Sequence, residues 1–378
     1  MKITAKGVLP LGFYANGIAC GIKRSGKPDL AMIYSELPSR AAGCFTCNTI
    51  EAAPVVLCRR RLSGTGYFRA IVANSGNANC FTGGRGLSDA LKTAGFAAAL
   101  LGVTPWEVLV ASTGIIGKHL PMSCITGGLM RLVQGLSRTG LARAQKAILT
   151  TDTFTKAASA VFTCGSRKVT ICGIAKGAGM IAPDMATMLC FIATDAAITR
   201  QALDKALKSA VAGSFNCITV DGCMSTNDSV LIMANAAAAN PVIGGGMDYA
   251  TFTQALKGVC LELAKMIVRD AEGATKFITI TAHEARDARE ARSAALAIAN
   301  SSLFKCAMYG ENPNFGRVVA AVGASGIPVK EKDFKVKLGP LNKRDITIGV
   351  WLGRGKSEAT VYTSDLTPVY VKINAEYS

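Results

Sequence analysis

The side chains that most often carry catalysis are scarce in this sequence. It has two histidines, His119 and His283, and neither lies in a recognisable nucleophile setting. The sequence also lacks a Walker loop and a dinucleotide-binding fingerprint. A hydroxyl or thiol nucleophile would therefore need a base other than histidine. A threonine that becomes the first residue of a chain meets this need, because its α-amino group, with an ordinary pKa of about 7.7–8.0, can accept the hydroxyl proton.

The 13 cysteines are the second group of reactive side chains. Most lie within apolar runs, where cysteine behaves as a small hydrophobic residue. Cys44 and Cys47 have the spacing of a metal-binding pair, but a zinc site usually needs a second pair or suitably spaced histidines. We therefore expect no metal ion, and a role for this pair is left open.

The composition is that of a folded protein: 378 residues, 50% apolar and 18% charged, enough for one large or two medium globular units. Apolar stretches such as residues 94–101 are far shorter than the roughly 18–20 residues that span a bilayer. The first residues do not form a secretory signal or a transit peptide. The expectation is a cytoplasmic protein with reduced thiols and no membrane segment.

The net charge of +17 raises the hypothesis of a nucleic-acid-binding protein. Apart from residues 59–61 and 330–344, however, the basic residues are scattered, without the interleaved aromatic residues that stack on bases. We interpret the charge as a solvated surface, or as an attraction for small anionic substrates, and expect no nucleic-acid partner.

Short strands bounded by turn residues alternate with helices along the chain. The predicted strands are 18–23, 30–35, 70–74, 169–174, 188–193, 276–281, 345–351, 358–363 and 370–373, of which the last three are expected to be antiparallel. The predicted helices run from an N-cap at Ser88 to near Gly102, over 139–149 and over 248–269. This pattern favours an α+β fold, or a layered α/β/β/α architecture, over a regularly alternating doubly wound fold.

One glycine-rich segment carries a family resemblance. KGAGMIAPDMATML, residues 176–189, resembles the self-cleavage segment of the ornithine acetyltransferase family, the bifunctional glutamate N-acetyltransferases, in which the chain breaks between Ala and Thr. Further motifs follow in family order: VANSGNANCFTG (72–83), STGIIG (112–117), TTDTFTK (150–156), SFNCITVDG (214–222), STNDS (225–229), VRDAEGATKFI (268–278), NPNFGR (312–317) and YVKINAEY (370–377). The resemblance covers essentially the whole chain.

The resemblance implies a role for individual residues. The scissile bond would join Ala186 to Thr187, Thr187 would be the nucleophile, and Thr113 with Gly114 would form the oxyanion hole. The implied substrate contacts are Thr150, with Thr151 as the alternative, Lys176, Thr187, Glu272 and Asn374. Chemically, Lys176 suits the carboxylate of an N-acetyl amino acid, and Glu272 suits the side-chain ammonium of ornithine.

The resemblance also implies an activity and an assembly. Acetyl would pass from N²-acetylornithine to L-glutamate through an acetyl-threonine enzyme without a cofactor, with acetyl-CoA as a further donor left open. An α chain, 1–186, and a β chain, 187–378, would form one intertwined catalytic unit, assembled as α2β2, with a layered αββα-type fold similar to N-terminal nucleophile enzymes. The alternative is an amidase or aminopeptidase of the same superfamily, which passes the acyl group to water.

The sequence departs from the family pattern at a few positions. The family often supplies a hydroxyl five positions after the asparagine of its last motif, whereas here Ser378 stands four positions after Asn374 and is the last residue. Cys223 and Met224 replace a commonly acidic position, and Phe315 replaces a common tryptophan. None of these changes removes a residue with an implied catalytic role.

Overall fold

The computed structural model of the chain describes residues 1–64, 66–182 and 188–376. These fall into two compact units, one within 1–177, 184–215 and 224–264, the other within 178–183, 216–223 and 265–378. In the described part of the chain, every helix is too short or too polar to cross a membrane.

The first unit contains a mixed sheet of nine strands among its described residues. The strands are β1 (Lys2–Thr4), β2 (Phe13–Ile18), β3 (Leu30–Phe45), β4 (Phe68–Asn77), β5 (Val108–Ile115), β6 (Lys156–Cys164), β7 (Arg167–Lys176), β8 (Leu189–Thr194) and β9 (Ser229–Ala234). Their order is β1-β6-β7-β8-β9-β3-β4-β5, with β2 also paired to β3. Residues 30–34 of β3 pair with β4 and residues 40–45 pair with β9, so this one long strand belongs to both halves of the sheet.

Six helices cover the two halves. They are α1 (Ala53–Ser63), α2 (Gly83–Leu101), α3 (Met122–Gln134), α4 (Leu141–Ala147), α5 (Arg200–Ala212) and α6 (Gly246–Arg269). Along β7, Cys172 and Ile174 point into the core that includes β4 and β5, whereas Gly173 faces Leu263 of α6, since a Cβ there would lie 2.8 Å from its side chain. Because α1 and α2 pack against β5, the layers run helix, sheet, sheet, helix, which confirms the predicted α+β fold and its layering.

The second unit has a four-stranded sheet in the order β11-β12-β10-β13. Its strands are β10 (Phe277–Ala285), β11 (Lys335–Leu338), β12 (Asp345–Trp351) and β13 (Ser357–Ser364), and its helices are α7 (Ala288–Asn300), α8 (Ser302–Tyr309), α9 (Gly316–Gly323) and α10 (Pro368–Glu376). In β12, Ile346, Ile348 and Val350 are buried among these helices, while residues 345 and 347 are exposed. This alternation is typical of a strand with one covered face.

Two predicted features of the second unit need correction. The strand 370–373 is wrong: these residues lie in α10, because the Thr367 hydroxyl accepts the Tyr370 N–H at 3.3 Å as an N-cap and Pro368 fits the first helical position. Of the three strands expected to be antiparallel, β12 and β13 do run in opposite directions, but they do not pair with each other, because β10 lies between them, parallel to β12 and antiparallel to β13. Which strands pair over a long distance does not change the hydrophobic alternation within a strand, so this pairing could not be predicted from the sequence pattern.

Two predictions in the first unit, one strand and one helix N-cap, are wrong as well. The strand 18–23 does not form, because the N–H groups of residues 20–23 donate at 2.7–3.2 Å to the buried carboxylate of Asp29 and are therefore lost to any ladder. Ser88 is not an N-cap, since α2 already begins at Gly83. The predicted end of that helix is confirmed, with Gly102 in the left-handed conformation at φ 67°.

Candidate active site

Thr113 and Gly114 lie at the end of β5, where its pairing with β4 becomes irregular. Asn77 faces both Thr113 and Ile115, which is a β-bulge. Gly114 has φ 134°, and a Cβ there would lie 2.4 Å from the carbonyl carbon of Gly76 and 2.5 Å from the nitrogen of Asn77. Only glycine fits this close approach of two backbones. The bulge therefore fixes the backbone next to the predicted oxyanion residues.

A network of buried asparagines holds this strand end in place. The Ser112 hydroxyl donates to Asn74 at 2.6 Å, and the Asn74 amide donates to the carbonyl of Asn77 at 2.8 Å. The Asn227 amide donates to the carbonyls of Ala78 at 2.6 Å and Ser112 at 2.8 Å. The motifs at 72–83 and 225–229 thus position the residues on either side of the bulge, a role that sequence reasoning did not assign.

Lys176 is brought to the same place by β7, in which it is the last residue. Its side chain is only 2% exposed, and its ammonium donates to the Thr113 hydroxyl, also buried, at 3.4 Å. Three predicted site residues, Thr113, Gly114 and Lys176, are therefore close together although 62 residues separate Gly114 from Lys176 in sequence.

Asp152 is the acidic centre of this site and was not predicted. One of its carboxylate oxygens accepts the Lys156 ammonium and the Gly177 N–H, both at 2.7 Å, and the other accepts the N–H of Thr150 at 3.0 Å. Burial alone would raise the pKa of Asp152, but the ammonium groups of Lys176 and Lys156 outweigh it and hold the pKa well below its usual range. The available signal was the aspartate within the TTDTFTK motif. Whether Thr150 or Thr151 contacts substrate stays a prediction.

A third lysine contributes to the charge of this site. The Lys23 ammonium donates to the carbonyls of Pro28 at 2.8 Å and Leu149 at 2.6 Å. Burial lowers the pKa of Lys23 to about 8, with a further lowering contribution from Lys176, although Asp29 and Asp152 oppose it. Lys23, Lys156 and Lys176 thus share the neighbourhood of Asp152, and Asp29 also acts on Lys23. We call this group of three lysines and Asp152 the lysine cluster.

The second unit brings together the other two predicted site residues. Glu272 follows the end of α6, and its backbone N–H donates to the carbonyl of Ala178 at 3.1 Å. The Asn374 amide, on α10, donates to the Glu272 carboxylate at 2.8 Å. A Cβ on Gly179 would lie 2.4 Å from that carboxylate, so the glycine leaves the space that Glu272 occupies.

Two residues that the sequence did not single out support this pair. Asp221 accepts the N–H groups of Met180 at 2.6 Å and Ile181 at 2.9 Å. The Tyr370 hydroxyl, one helical turn before Asn374, donates to Asp221 at 3.2 Å, and burial followed by the charge of Asp221 raises the pKa of Tyr370. Asp221 therefore anchors both α10 and the backbone of residues 180–181.

The remaining predicted residues are of two kinds. Ala186, Thr187 and Ser378 lie outside the described residues. Cys44 is half-buried in β3, where burial raises the pKa of its thiol to about 12, and Cys47 is exposed. Within residues 1–64, 66–182 and 188–376, no group of three His, Cys, Asp or Glu side chains is arranged to hold a metal ion.

Fold and geometry together define a class: a layered α+β protein with a buried site in which a lysine ammonium contacts a threonine hydroxyl. The sequence model of the ArgJ family matches residues 14–378. The arginine biosynthesis bifunctional protein ArgJ of Geobacter sulfurreducens is 47% identical over 388 residues, 97% of this chain and 98% of that protein, and the protein of the same name from Symbiobacterium thermophilum is 45% identical over the full length of both. A crystal structure of the ArgJ protein from Bacillus halodurans is 37% identical and covers 49% of this chain and 98% of that one, with a TM-score of 0.47. The chain belongs to the ArgJ family, which confirms the predicted family.

Proposed function

We propose that this chain is an acetyltransferase of arginine biosynthesis that moves the acetyl group of N²-acetylornithine to L-glutamate. The observation that carries the proposal is the pairing of the Lys176 ammonium with the Thr113 hydroxyl at 3.4 Å, in a chain of the ArgJ family. An ammonium next to a hydroxyl strengthens that hydroxyl as a donor, because hydrogen bonds in a buried chain polarise one another. Thr113 and the Gly114 N–H are therefore suited to stabilise the negative oxygen of an acyl-transfer intermediate.

The lysine cluster supports recognition of a carboxylate. Both substrates of the reaction carry an α-carboxylate, and a buried site with more ammonium groups than carboxylates favours an added anion. Lys176 is proposed to bind this group, and Thr150, whose N–H is held by Asp152, lines the same site. Lys156 and Asp152 form a fully buried ion pair at 2.7 Å that holds the cluster in place.

Glu272 and Asn374 are proposed to recognise the side-chain ammonium of ornithine. A carboxylate is the natural partner of an alkylammonium group. The Asn374 amide occupies one oxygen of Glu272 and thereby orients the carboxylate. Glutamate has no such ammonium, so these residues would act in the first half of the reaction.

In the proposed reaction, the Thr187 hydroxyl attacks the acetyl carbonyl of N²-acetylornithine while its α-amino group takes the proton. Collapse of the tetrahedral intermediate breaks the carbon–nitrogen bond, the proton passes to the departing amine, and ornithine leaves an acetyl-threonine. The glutamate amine then attacks this ester and restores the hydroxyl. Acetyl-CoA as a further donor would acetylate the same Thr187 hydroxyl and so give the same acetyl-threonine.

The α-amino group exists only after cleavage between Ala186 and Thr187, so we propose an α chain of residues 1–186 and a β chain of 187–378. Residues 171–176 of β7 pair with residues 189–194 of β8, on the other side of the cleavage position. This ladder supports two chains that remain one folded unit after the break. We further propose that they assemble as α2β2 and work in the cytoplasm, where the 13 cysteines stay reduced.

The test combines mass spectrometry with a steady-state assay. Intact mass of purified protein should show a break before Thr187, and acetyl transfer from N²-acetylornithine should require glutamate. Thr187→Ala should abolish cleavage and transfer, and Thr187→Ser should retain part of both. Thr251→Ala, at a half-buried position on α6 where the hydroxyl donates to the Met247 carbonyl, should retain all of both.

Two results would contradict the proposal. An uncleaved chain with full activity would remove the terminal amine from the mechanism. Release of acetate at a rate independent of glutamate would instead support the amidase alternative. Running the assay with acetyl-CoA as donor decides whether the enzyme is bifunctional.

A further inference from the structure

Lys23 is the member of the lysine cluster that has no role in the proposed reaction. Its backbone is fixed, because the N–H groups of residues 20–23 donate to the Asp29 carboxylate at 2.7–3.2 Å. A Cβ on Gly76 would lie 2.9 Å from Cγ of Lys23, so the stem of this half-buried side chain lies against Gly76. Gly76 is paired with Gly114. The stem of Lys23 therefore lies beside the strand pair that carries the predicted oxyanion residues.

The ammonium of Lys23 is held in the same site by two backbone carbonyls, those of Pro28 and Leu149. Leu149 directly precedes Thr150, a predicted substrate contact. A lysine ammonium has three N–H donors, so these two carbonyls leave one N–H for a ligand. In the described part of the chain, no carboxylate oxygen lies within ion-pair distance of this ammonium.

The electrostatic surroundings of Lys23 also favour a carboxylate ligand. Burial lowers its pKa to about 8, Lys176 and Lys27 lower it further, and Asp29 and Asp152 raise it. A partly buried ammonium whose hydrogen-bond acceptors are neutral carbonyls gains from an added anion, because the anion stabilises the charged form.

The two substrates of the proposed reaction differ in the charge of their side chains. N²-acetylornithine carries a side-chain ammonium, for which Glu272 is the proposed partner, and glutamate carries a side-chain carboxylate. A carboxylate such as Glu272 attracts the first group and repels the second. Lys176 is proposed to bind the α-carboxylate, which both substrates share. The side-chain carboxylate of glutamate therefore needs a cation of its own.

We propose that Lys23 binds the side-chain carboxylate of L-glutamate and so distinguishes the acetyl acceptor from the acetyl donor. This inference rests on the proposed function. The remaining N–H of the ammonium donates to a carboxylate oxygen of glutamate, while the other two keep their bonds to the carbonyls of Pro28 and Leu149. Lys23 thus acts in the second half of the reaction, as Glu272 acts in the first.

The experiment measures acetyl transfer at steady state with both substrates varied, because in a ping-pong reaction kcat/KM of each substrate reports its own half-reaction. Lys23→Met removes the charge and keeps an unbranched side chain. Its kcat/KM for glutamate should fall by about ten- to hundredfold, the usual effect of losing a charge-assisted bond. Its kcat/KM for N²-acetylornithine should stay close to the wild-type value, and Lys23→Arg should retain more activity towards glutamate than Lys23→Met. Lys27→Met is the matched control, since it removes the same charge from an exposed position in the same loop and should leave both values unchanged.

L-Glutamine gives a readout that a merely structural role would not produce. It has the shape of glutamate with a neutral amide in place of the side-chain carboxylate. Its inhibition constant as a competitor of glutamate should be the same in the wild type and in Lys23→Met. In the wild type, the preference for glutamate over glutamine should be present below pH 8 and decrease as the pH rises through about 8, where Lys23 loses its proton. In Lys23→Met this pH-dependent preference should be absent.

Each outcome decides a different point. An unchanged kcat/KM for glutamate in Lys23→Met would overturn the inference and leave the proposed function intact. Equal losses for glutamate and N²-acetylornithine would also overturn it, because Lys23 would then support the backbone or the shared α-carboxylate. Absence of acetyl transfer to glutamate in the wild type would instead overturn the proposed function. If Lys23→Met does not fold, the wild-type pH profile decides: a preference for glutamate that persists unchanged well above pH 8 would refute the role, and its loss would support it.

Discussion

Gly114→Ala should lower both stability and turnover, because the substitution causes both backbone strain and overpacking. A positive φ of 134° is a conformation that side-chain-bearing residues rarely adopt, and such strain costs about 1–3 kcal/mol. In addition, the new Cβ would lie 2.4 Å from the carbonyl carbon of Gly76 and 2.5 Å from the nitrogen of Asn77. These are backbone atoms of a paired strand and cannot rotate away, so overpacking adds about 1–3 kcal/mol. We expect a total loss of about 2–6 kcal/mol.

Gly102→Ala is the matched control. Gly102 also has a positive φ, 67°, but no atom of the described residues lies within 4 Å of its added Cβ, so its cost should be about 1–2 kcal/mol. Urea unfolding of both variants and the wild type measures the two losses, and their difference isolates the contact between the strands. Steady-state kinetics should show turnover reduced by roughly 10²-fold for Gly114→Ala, since small displacements of catalytic groups are costly, and unchanged for Gly102→Ala. Equal stability losses with normal turnover for both would refute the reasoning.

Three further substitutions test individual roles by steady-state kinetics. Thr113→Ala should lower kcat by about 10²–10³-fold with a small effect on binding, because oxyanion donors act on the transition state; normal kcat with a raised KM would remove Thr113 from that role. Lys176→Met should raise the KM of both N²-acetylornithine and glutamate by roughly tenfold or more, since a charge-assisted bond contributes about 1.5–3 kcal/mol; an effect on one substrate only would contradict binding of the shared carboxylate. Glu272→Gln should weaken the binding of N²-acetylornithine by about ten- to hundredfold. The binding of an acetyl donor without the side-chain amine should change much less. Equal losses of binding for both donors would exclude ammonium recognition.

Secondary structure could be predicted where the hydrophobic period within a segment is enough to decide between helix and strand. Helix 248–269 and strand 345–351 match α6 and β12 closely, because the buried residues of each recur with the period of a helix or of a strand. The C-terminal helix α10 was missed because its valines and isoleucine favour a strand, and the deciding interaction is one hydroxyl–amide bond at Thr367. The extent of β3 was missed because its two halves pair with different strands.

The motifs located candidate residues but not their partners. Thr113 and Lys176 were named from separate motifs, and their contact depends on β5 and β7 ending at the same place in the first unit. Asp152 and Asp221 both lie within motifs that the sequence presented, yet their roles in the site rest on hydrogen bonds to backbone N–H groups 25 and 41 positions away. A carboxylate in a motif does not reveal which backbone N–H it will accept.

The overall charge of +17 and the lysine cluster would act on anionic substrates over different distances. Exposed charges are screened by salt over about 8–10 Å, so the scattered surface lysines and arginines affect the rate at which an anion arrives. Lys176 and Lys156 are buried, where screening is weaker and each interaction is stronger. Recognition of the carboxylate should therefore persist at salt concentrations that suppress any steering by the surface. The basic composition is thus a poor indicator of the ligand. The positive charges that bear on ligand recognition are those of the few buried lysines around Asp152.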